Sequence, residues 1–93
     1  LEFRRVLFRS LYRYGGEEFA AIFAAGHSDD ALMLLESWRA RVAQRSWREE
    51  GLTVTFSAGL GEWNMEPLEQ LVVSVDEALY KAKQQGKNRI VRA

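Results

Sequence analysis

The chain has 93 residues, of which 47% are hydrophobic, and its 13 basic side chains balance 13 acidic ones. This length accommodates one small domain with a modest core. Zero net charge argues against bulk nucleic acid as a partner, because nucleic acid is bound by clustered excess positive charge. The absence of cysteine excludes disulfides and thiolate metal sites, and it fits a reducing, cytoplasmic compartment.

The opening sequence LEFRRVLFRS differs in its residue pattern from the rest of the chain. Arginines are mixed with Leu, Phe and Val without the period of a helix or a strand. We interpret residues 1–10 as an atypical leader, either a genuine strand approach or foreign sequence joined to the domain, and we favour the second. The domain itself is then expected over residues 11–93.

A β-hairpin is predicted around Gly15 and Gly16. Residues 11–14 and 18–23 have a strand-like composition. A two-residue hairpin turn needs positive φ at both central positions, which adjacent glycines supply. The two strands should therefore pair antiparallel.

Two amphipathic helices are predicted further along the chain. The first starts with Ser28 as N-cap and runs to about residue 47. The second has Pro67 in its first turn and ends at Gly86. Their apolar stripes are Ala31, Leu34, Leu35, Trp38 and Val42 in the first, and Leu68, Leu71, Val72, Val75, Leu79 and Ala82 in the second.

Alternation over residues 53–60 predicts a third strand, and residues 89–92 predict a short closing strand. The element order is then β-β-α-β-α-β. This order predicts an α/β (α+β) sandwich with ferredoxin-like connectivity, whose N-terminal units are missing from the chain.

The hairpin turn is the first candidate site. Gly15 and Gly16 let a ligand approach the backbone closely, and Glu17 or Glu18 offers the hard oxygen that a divalent cation prefers. Successive strand residues face opposite ways, so the two carboxylates are not expected to serve one small site in the same manner. A plain surface turn followed by two solvated acids explains the same residues.

The end of the second helix is the other candidate site. Lys83 and Lys87 are four residues apart, so both ammonium groups can reach the same side of the helix end and hold a triphosphate. Lysines also occur there simply because they favour the negative end of the helix dipole. His27 and Trp63 lie in predicted loops, and nothing assigns them a function.

The segments RYGGEEF, TVTFSAGLG and VDEALYKAKQQGKNRI follow one another in this order. Together they resemble the GGDEF domain of diguanylate cyclases, over about the C-terminal half of that domain. The resemblance implies a polymerase-palm-like fold and the condensation of two GTP molecules into cyclic di-GMP with release of pyrophosphate. It also implies Mg²⁺ or Mn²⁺ as cofactor and a homodimer that brings two nucleotides face to face.

By this resemblance, Gly15 and Gly16 would lie beside the nucleotide. Glu17 would bind metal and help to activate the attacking hydroxyl, and Glu18 would complete the active-site signature. Both acidic residues are therefore expected to be catalytic.

Lys83 and Lys87 match positions that contact the phosphates of GTP, and Lys87 stands where the family often has Arg. The chain lacks counterparts of another metal-binding Asp and of the guanine-reading residues, so this fragment is expected to be inactive alone. The family's Arg-x-x-Asp inhibitory site is also absent, since VLFR occupies residues 6–9. An upstream sensor or receiver domain is expected outside the chain.

Two alternatives stay open. One is a non-catalytic GGDEF-like module that binds GTP or cyclic di-GMP, although its usual sign is a degraded motif and GGEEF is intact here. The other is an unrelated ferredoxin-like interaction domain that binds RNA, which would favour exposed aromatic residues and net positive charge.

Overall fold

Six elements follow one another in the computed structural model, which describes residues 8–15, 18–23, 27–47 and 50–93. Their order is the predicted one, so the mixed α/β class is confirmed. The described strands form two two-stranded sheets, β1 with β2 and β3 with β4. The elements are β1 (Phe8–Gly15), β2 (Glu18–Phe23), α1 (Ser28–Gln44), β3 (Ala58–Leu60), α2 (Leu68–Gln84) and β4 (Ile90–Arg92).

Strands β1 and β2 pair antiparallel, as predicted, and Gly15 lies opposite Glu18 at the turn end. Strand β1 begins at Phe8, earlier than the predicted residue 11. Its register is irregular between Phe8 and Ser10 and again between Arg13 and Gly15. At each place β1 contributes one residue more than β2, which is the pattern of a β-bulge and increases the local twist.

Both ends of α1 differ from the prediction. The N-cap is His27 rather than Ser28, and the His27 backbone N–H donates to Oδ2 of Asp30 at 3.4 Å. At the other end Arg45 leaves the helical conformation, with φ −69° and ψ 135°, so the helix stops before residue 47. The Arg45 guanidinium lies 5.1 Å from the centroid of the Trp47 ring, a cation–π contact that favours this extended exit.

The ends of α2 follow from Pro67 and Gly86. Pro67 is the N-cap, one position before its predicted place in the first turn. Its carbonyl accepts the N–H of Gln70 at 2.9 Å, which starts the helical ladder. Gly86 ends the helix as predicted, with φ +123°, a conformation that residues with a Cβ rarely adopt.

Strand β3 pairs in parallel with β4, from Ala58 opposite Ile90 to Leu60 opposite Arg92, and α2 forms the connection between them. The predicted strand over residues 53–60 is therefore wrong in length. Strand β4 offers only three residues for pairing, so within the described ranges residues 53–57 have no ladder partner. The exposure of their side chains still alternates as predicted, since Val54 and Phe56 are half-buried while Thr53 and Thr55 are exposed.

Strand β3 lies between the two helices. A Cβ added to Gly59 would be 2.3 Å from the carbonyl oxygen of Val75, so this glycine lets α2 approach the strand at backbone distance. The neighbouring Leu60 is buried and packs with Ala31 of α1. Gly59 therefore faces α2, and the side chain of Leu60 faces α1.

The core is small. Of the described residues, those that are buried are Ala31, Leu60, Ala78 and Ala82. Side chains packed against the Ala31–Leu60 contact are Phe23, Leu32, Leu34, Leu35 and Ile90.

The predicted stripe of α1 is confirmed, since Ala31 is buried and its other members are half-buried. The predicted stripe of α2 is wrong at two positions: Leu68 is 62% exposed and Val72 is 41% exposed. The close contact at Gly59 turns the small side chain of Ala78 inward instead. Within the described ranges, neither helix is long and apolar enough to cross a membrane.

Candidate functional site

The tip of the hairpin carries four of the predicted site residues. Gly15 is the last residue of β1 and pairs with Glu18, the first residue of β2. Because Gly15 pairs within β1, it is not one of the two central residues of the turn, contrary to the prediction. Gly16 and Glu17 themselves fall outside the described residues, as does the side chain of Glu18. The roles of these residues therefore stay predictions.

The C-terminal end of α2 carries the two predicted phosphate-binding lysines. Lys83 lies in the last turn, and Lys87 follows Gly86. The Lys87 backbone N–H donates to the carbonyl of Ala82 at 2.9 Å, which is the six-to-one hydrogen bond of a Schellman motif. Both lysine side chains are exposed, and neither forms an ion pair with another residue that the structure describes.

The turn that follows is held in an unusual conformation. Lys87 has φ +63° and Asn88 has φ +48°, so two consecutive residues with side chains occupy the left-handed region. The Asn88 backbone N–H donates to Oγ of Ser57 at 3.1 Å. The Arg89 Nε donates to the Lys87 carbonyl at 3.1 Å. The backbone around Lys87 is thus bonded on both sides.

A further contact reaches this turn from α1. Arg39 Nη1 donates to Oδ1 of Asn88 at 3.0 Å, and its Nε and Nη2 each lie 3.0 Å from Oε2 of Glu36. Neither Arg39 nor Asn88 was predicted as a site residue, and Arg39 lies outside the predicted apolar stripe of α1, where a charged side chain usually faces solvent. The signal available in the sequence was an asparagine directly after GK at a helix end, since asparagine tolerates left-handed backbone.

A second polar cluster surrounds the start of α1. Arg92 of β4 donates to Oδ1 of Asp29 at 2.6 Å and to the hydroxyl of Ser28. The Ser28 backbone N–H donates to Oε1 of Glu62 at 3.0 Å. These contacts tie β4 and the loop after β3 to the first turn of α1, and we assign them a structural role.

A metal site is not assembled by the described residues alone, among which no group of three or more His, Asp or Glu is placed to hold an ion. The candidate donors are the carboxylates of the hairpin tip, Glu17 and Glu18. Carboxylate oxygens fit a hard divalent cation such as Mg²⁺ or Mn²⁺. One or two carboxylates are an incomplete donor set for such a cation, so further oxygen ligands have to come from water, substrate or other parts of the protein.

Known proteins resemble this chain in both sequence and fold. Over 86 residues the chain is 40% identical to the diguanylate cyclase DgcM of Escherichia coli strain K12, an overlap that covers 89% of this chain and 20% of that protein. Its fold matches the active GGEEF domain of a diguanylate cyclase from Vibrio cholerae with a TM-score of 0.79 at 31% identity, covering 88% of this chain and 54% of that one. It also matches the GGDEF domain of DgcB from Caulobacter crescentus, solved in complex with c-di-GMP, with a TM-score of 0.79 at 31% identity, covering 88% of this chain and 50% of that one.

The chain therefore spans about half the length of these solved structures and about a fifth of the curated relative. The family described as "Diguanylate cyclase, GGDEF domain" matches residues 6–89, nearly the whole sequence. The hairpin, strand β3 and the lysine-bearing end of α2 all lie inside that match. The resemblance stated from the three motifs is confirmed, and the chain belongs to the GGDEF domain family.

Proposed function

We propose that this chain is part of a diguanylate cyclase that condenses two GTP molecules into cyclic di-GMP and releases pyrophosphate. Membership of the GGDEF family supports the proposal, as do relatives named as diguanylate cyclases. Because the chain spans only part of those relatives, the activity is proposed for the complete protein, acting in the cytoplasm, and not for these 93 residues alone.

The observation that carries the proposal is the pair of exposed lysines at the end of α2. Lys83 lies in the last turn of α2 and Lys87 just beyond the C-cap of that helix, and neither ammonium is neutralised by a carboxylate of the described residues. Two such cations suit a polyphosphate, which offers several anionic oxygens. We assign them to the phosphates of GTP.

The hairpin tip supplies the other half of the proposed site. Gly15 and Gly16 have no Cβ, so the nucleotide can approach the backbone there. We assign Glu17 to metal binding and to activation of the attacking hydroxyl, and Glu18 to the same active-site surface. When bound, Mg²⁺ or Mn²⁺ would stabilise charge on the phosphoryl oxygens.

The reaction requires two nucleotides. Each ribose 3′-hydroxyl forms a bond to the α-phosphorus of the other GTP, the bond from that phosphorus to the bridging oxygen breaks, and pyrophosphate leaves. The hydroxyl proton passes to a base, for which Glu17 is the candidate in this chain. One GTP per subunit in a face-to-face homodimer satisfies this requirement, and holding the two reactants in line accounts for much of the expected acceleration.

The test uses the complete protein with GTP and Mg²⁺, and it measures both cyclic di-GMP and pyrophosphate. Glu17→Ala and Glu18→Ala should each abolish product formation. Glu50→Ala, which removes an exposed acid from a turn outside the site, is the matched control and should leave the rate unchanged.

An unchanged rate in both hairpin variants would refute the active-site assignment. If the wild-type protein binds GTP without turning it over, the chain is a nucleotide-binding module instead of a cyclase.

A further inference from the structure

The backbone of Lys87 is in a conformation that its own side chain disfavours. Its φ is +63°, and the next residue, Asn88, has φ +48°. For a residue with a Cβ, the left-handed region brings the side chain too close to the following carbonyl, and only Gly, Asn and Asp visit it readily. Lys87 therefore stays there only if its surroundings hold it.

The surroundings hold it directly, through the bonds of the Lys87 N–H to Ala82 and of the Lys87 carbonyl to Arg89, and also through the neighbouring Asn88. The Asn88 backbone N–H is bonded to Ser57 before β3, and its side-chain carbonyl accepts from Arg39 of α1 at 3.0 Å. The Arg39–Asn88 bond joins residues 49 positions apart in the chain. It is the contact by which α1 reaches the lysine turn.

Arg39 is itself held in place. Its guanidinium contacts Oε2 of Glu36 through two nitrogens, each at 3.0 Å, and its side chain is only 22% exposed. A planar guanidinium fixed along one edge presents its remaining donor in a defined direction. The direction of the bond to Asn88 is therefore set by α1.

We propose that Arg39 is a positioning residue for Lys87: through Asn88 it keeps the Lys87 backbone left-handed, and so it fixes the direction from which the Lys87 ammonium meets the phosphates of the nucleotide. This inference rests on the proposed function, because it presumes that Lys87 contacts phosphate. It assigns to α1 a part in nucleotide affinity without any contact between Arg39 and the ligand. A flexible lysine loses more side-chain and backbone freedom on binding than one already held in place.

The experiment measures GTP binding by the complete protein in Mg²⁺, by calorimetry, together with KM and kcat. Arg39→Ala should raise the dissociation constant and KM by roughly three- to tenfold, the effect expected for losing one typical intramolecular hydrogen bond, with little change in kcat. Arg39→Lys keeps the charge but cannot bridge Glu36 and Asn88 in the same way, so it should behave like Arg39→Ala.

Arg41→Ala is the matched control. Arg41 lies on the same helix, is exposed, and forms no ion pair with a described residue. The Arg41→Ala substitution removes the same charge without affecting the bond to Asn88, so the dissociation constant for GTP should stay at the wild-type value.

The decisive measurement is a double-mutant cycle with Lys87→Met. If Arg39 acts through Lys87, then Arg39→Ala should not weaken GTP binding further once Lys87 is gone. An equal additional loss in that background would overturn the inference, because Arg39 would then act on the ligand directly or through the fold as a whole. Asn88→Ala breaks the same bond from its other end and replaces Arg39→Ala if that variant does not fold.

The two proposals fail in different ways. If the wild-type protein binds no GTP, the proposed function fails and this inference fails with it. If the wild-type protein binds GTP, Lys87→Met weakens binding, and Arg39→Ala matches Arg41→Ala, then the positioning role alone is wrong.

Discussion

Gly59 of β3 lies against the backbone of α2 at Val75: a Cβ built on this glycine would be 2.3 Å from the Val75 carbonyl oxygen and 2.7 Å from the backbone nitrogen of Leu79. Both atoms belong to the helix backbone and cannot rotate away. The separation of strand and helix is therefore set by the missing side chain.

Gly59→Ala should accordingly be among the most damaging single changes in this chain. Forcing α2 away from β3 is expected to lower the free energy of unfolding by about 3 kcal/mol, at the upper end of overpacking effects. Urea unfolding monitored by circular dichroism measures this.

Gly61→Ala is the matched control for that change. Its Cβ would meet side-chain atoms, Cγ2 of Val75 at 2.7 Å and Cδ1 of Leu71 at 3.0 Å, which can move. It should cost about 1 kcal/mol. Equal losses in the two variants would contradict the backbone contact.

Gly86→Ala should destabilise the end of α2. Gly86 has φ +123°, and its Cβ would approach only the mobile end of the Arg89 side chain, at 2.9 Å, so backbone conformation is the dominant cause. We expect a loss of about 1–2 kcal/mol, which lowers Tm by several degrees in a domain of about this size.

Gln85→Ala serves as the comparison for Gly86→Ala. Gln85 is exposed and has φ −80°, which alanine adopts freely, so its Tm should match the wild type. A Tm drop in both variants would point to a lost contact of the turn and not to the conformation of Gly86.

Lys83→Met and Lys87→Met should each weaken GTP binding by the complete protein by about tenfold or more, since each removes a charged hydrogen-bond donor to phosphate. Lys81→Met is the control, because Lys81 is exposed in the same last turn but lies on another side of the helix from Lys83. The loss should shrink as salt is raised, because screening weakens exposed charges. If Lys81→Met weakens binding as much, the effect is one of net charge.

Arg92→Met should have only a small effect on stability, despite the short contact with Asp29. Their side chains are 44% and 79% exposed, so the ion pair is expected to contribute less than about 1 kcal/mol at low salt. A double-mutant cycle with Asp29→Asn, followed by thermal unfolding, measures the coupling. A coupling that persists in high salt would mean that the directional hydrogen bond from Arg92 to Asp29, and not the screened charge, carries the interaction.

The strand over residues 53–60 illustrates what the sequence could predict. Alternation correctly indicated that Val54 would be less exposed than Thr55. It could not indicate how many residues would pair, because that number depends on β4, which is three residues long. Pairing length is a property of two strands, and the alternation within one strand carries no information about the length of its partner.

The candidate site, like the strand, was predictable from the sequence only in part. The order of the three motifs was enough to identify the family, and Gly86 was enough to place the end of α2. The role of Arg39 was missed because its partners, Glu36 and Asn88, lie 3 and 49 positions away, and the longer of these contacts exists only after α1 and the lysine turn have been brought together. Burial of Ala78 in place of Leu68 was missed for a similar reason, since the closest approach of α2 is decided by a glycine on another element.

Three of the four buried residues in the described part of the chain are alanines, and two glycines line the contact between β3 and α2. Substitution in such an interface removes little apolar volume, and the close packing leaves no space for a larger side chain. Among natural or selected variants, we therefore expect the tolerance of replacements at positions 59, 78 and 82 to depend on side-chain volume more than on side-chain polarity. At positions 78 and 82 a serine should survive where a valine does not, which reverses the ranking usually expected for a protein interior.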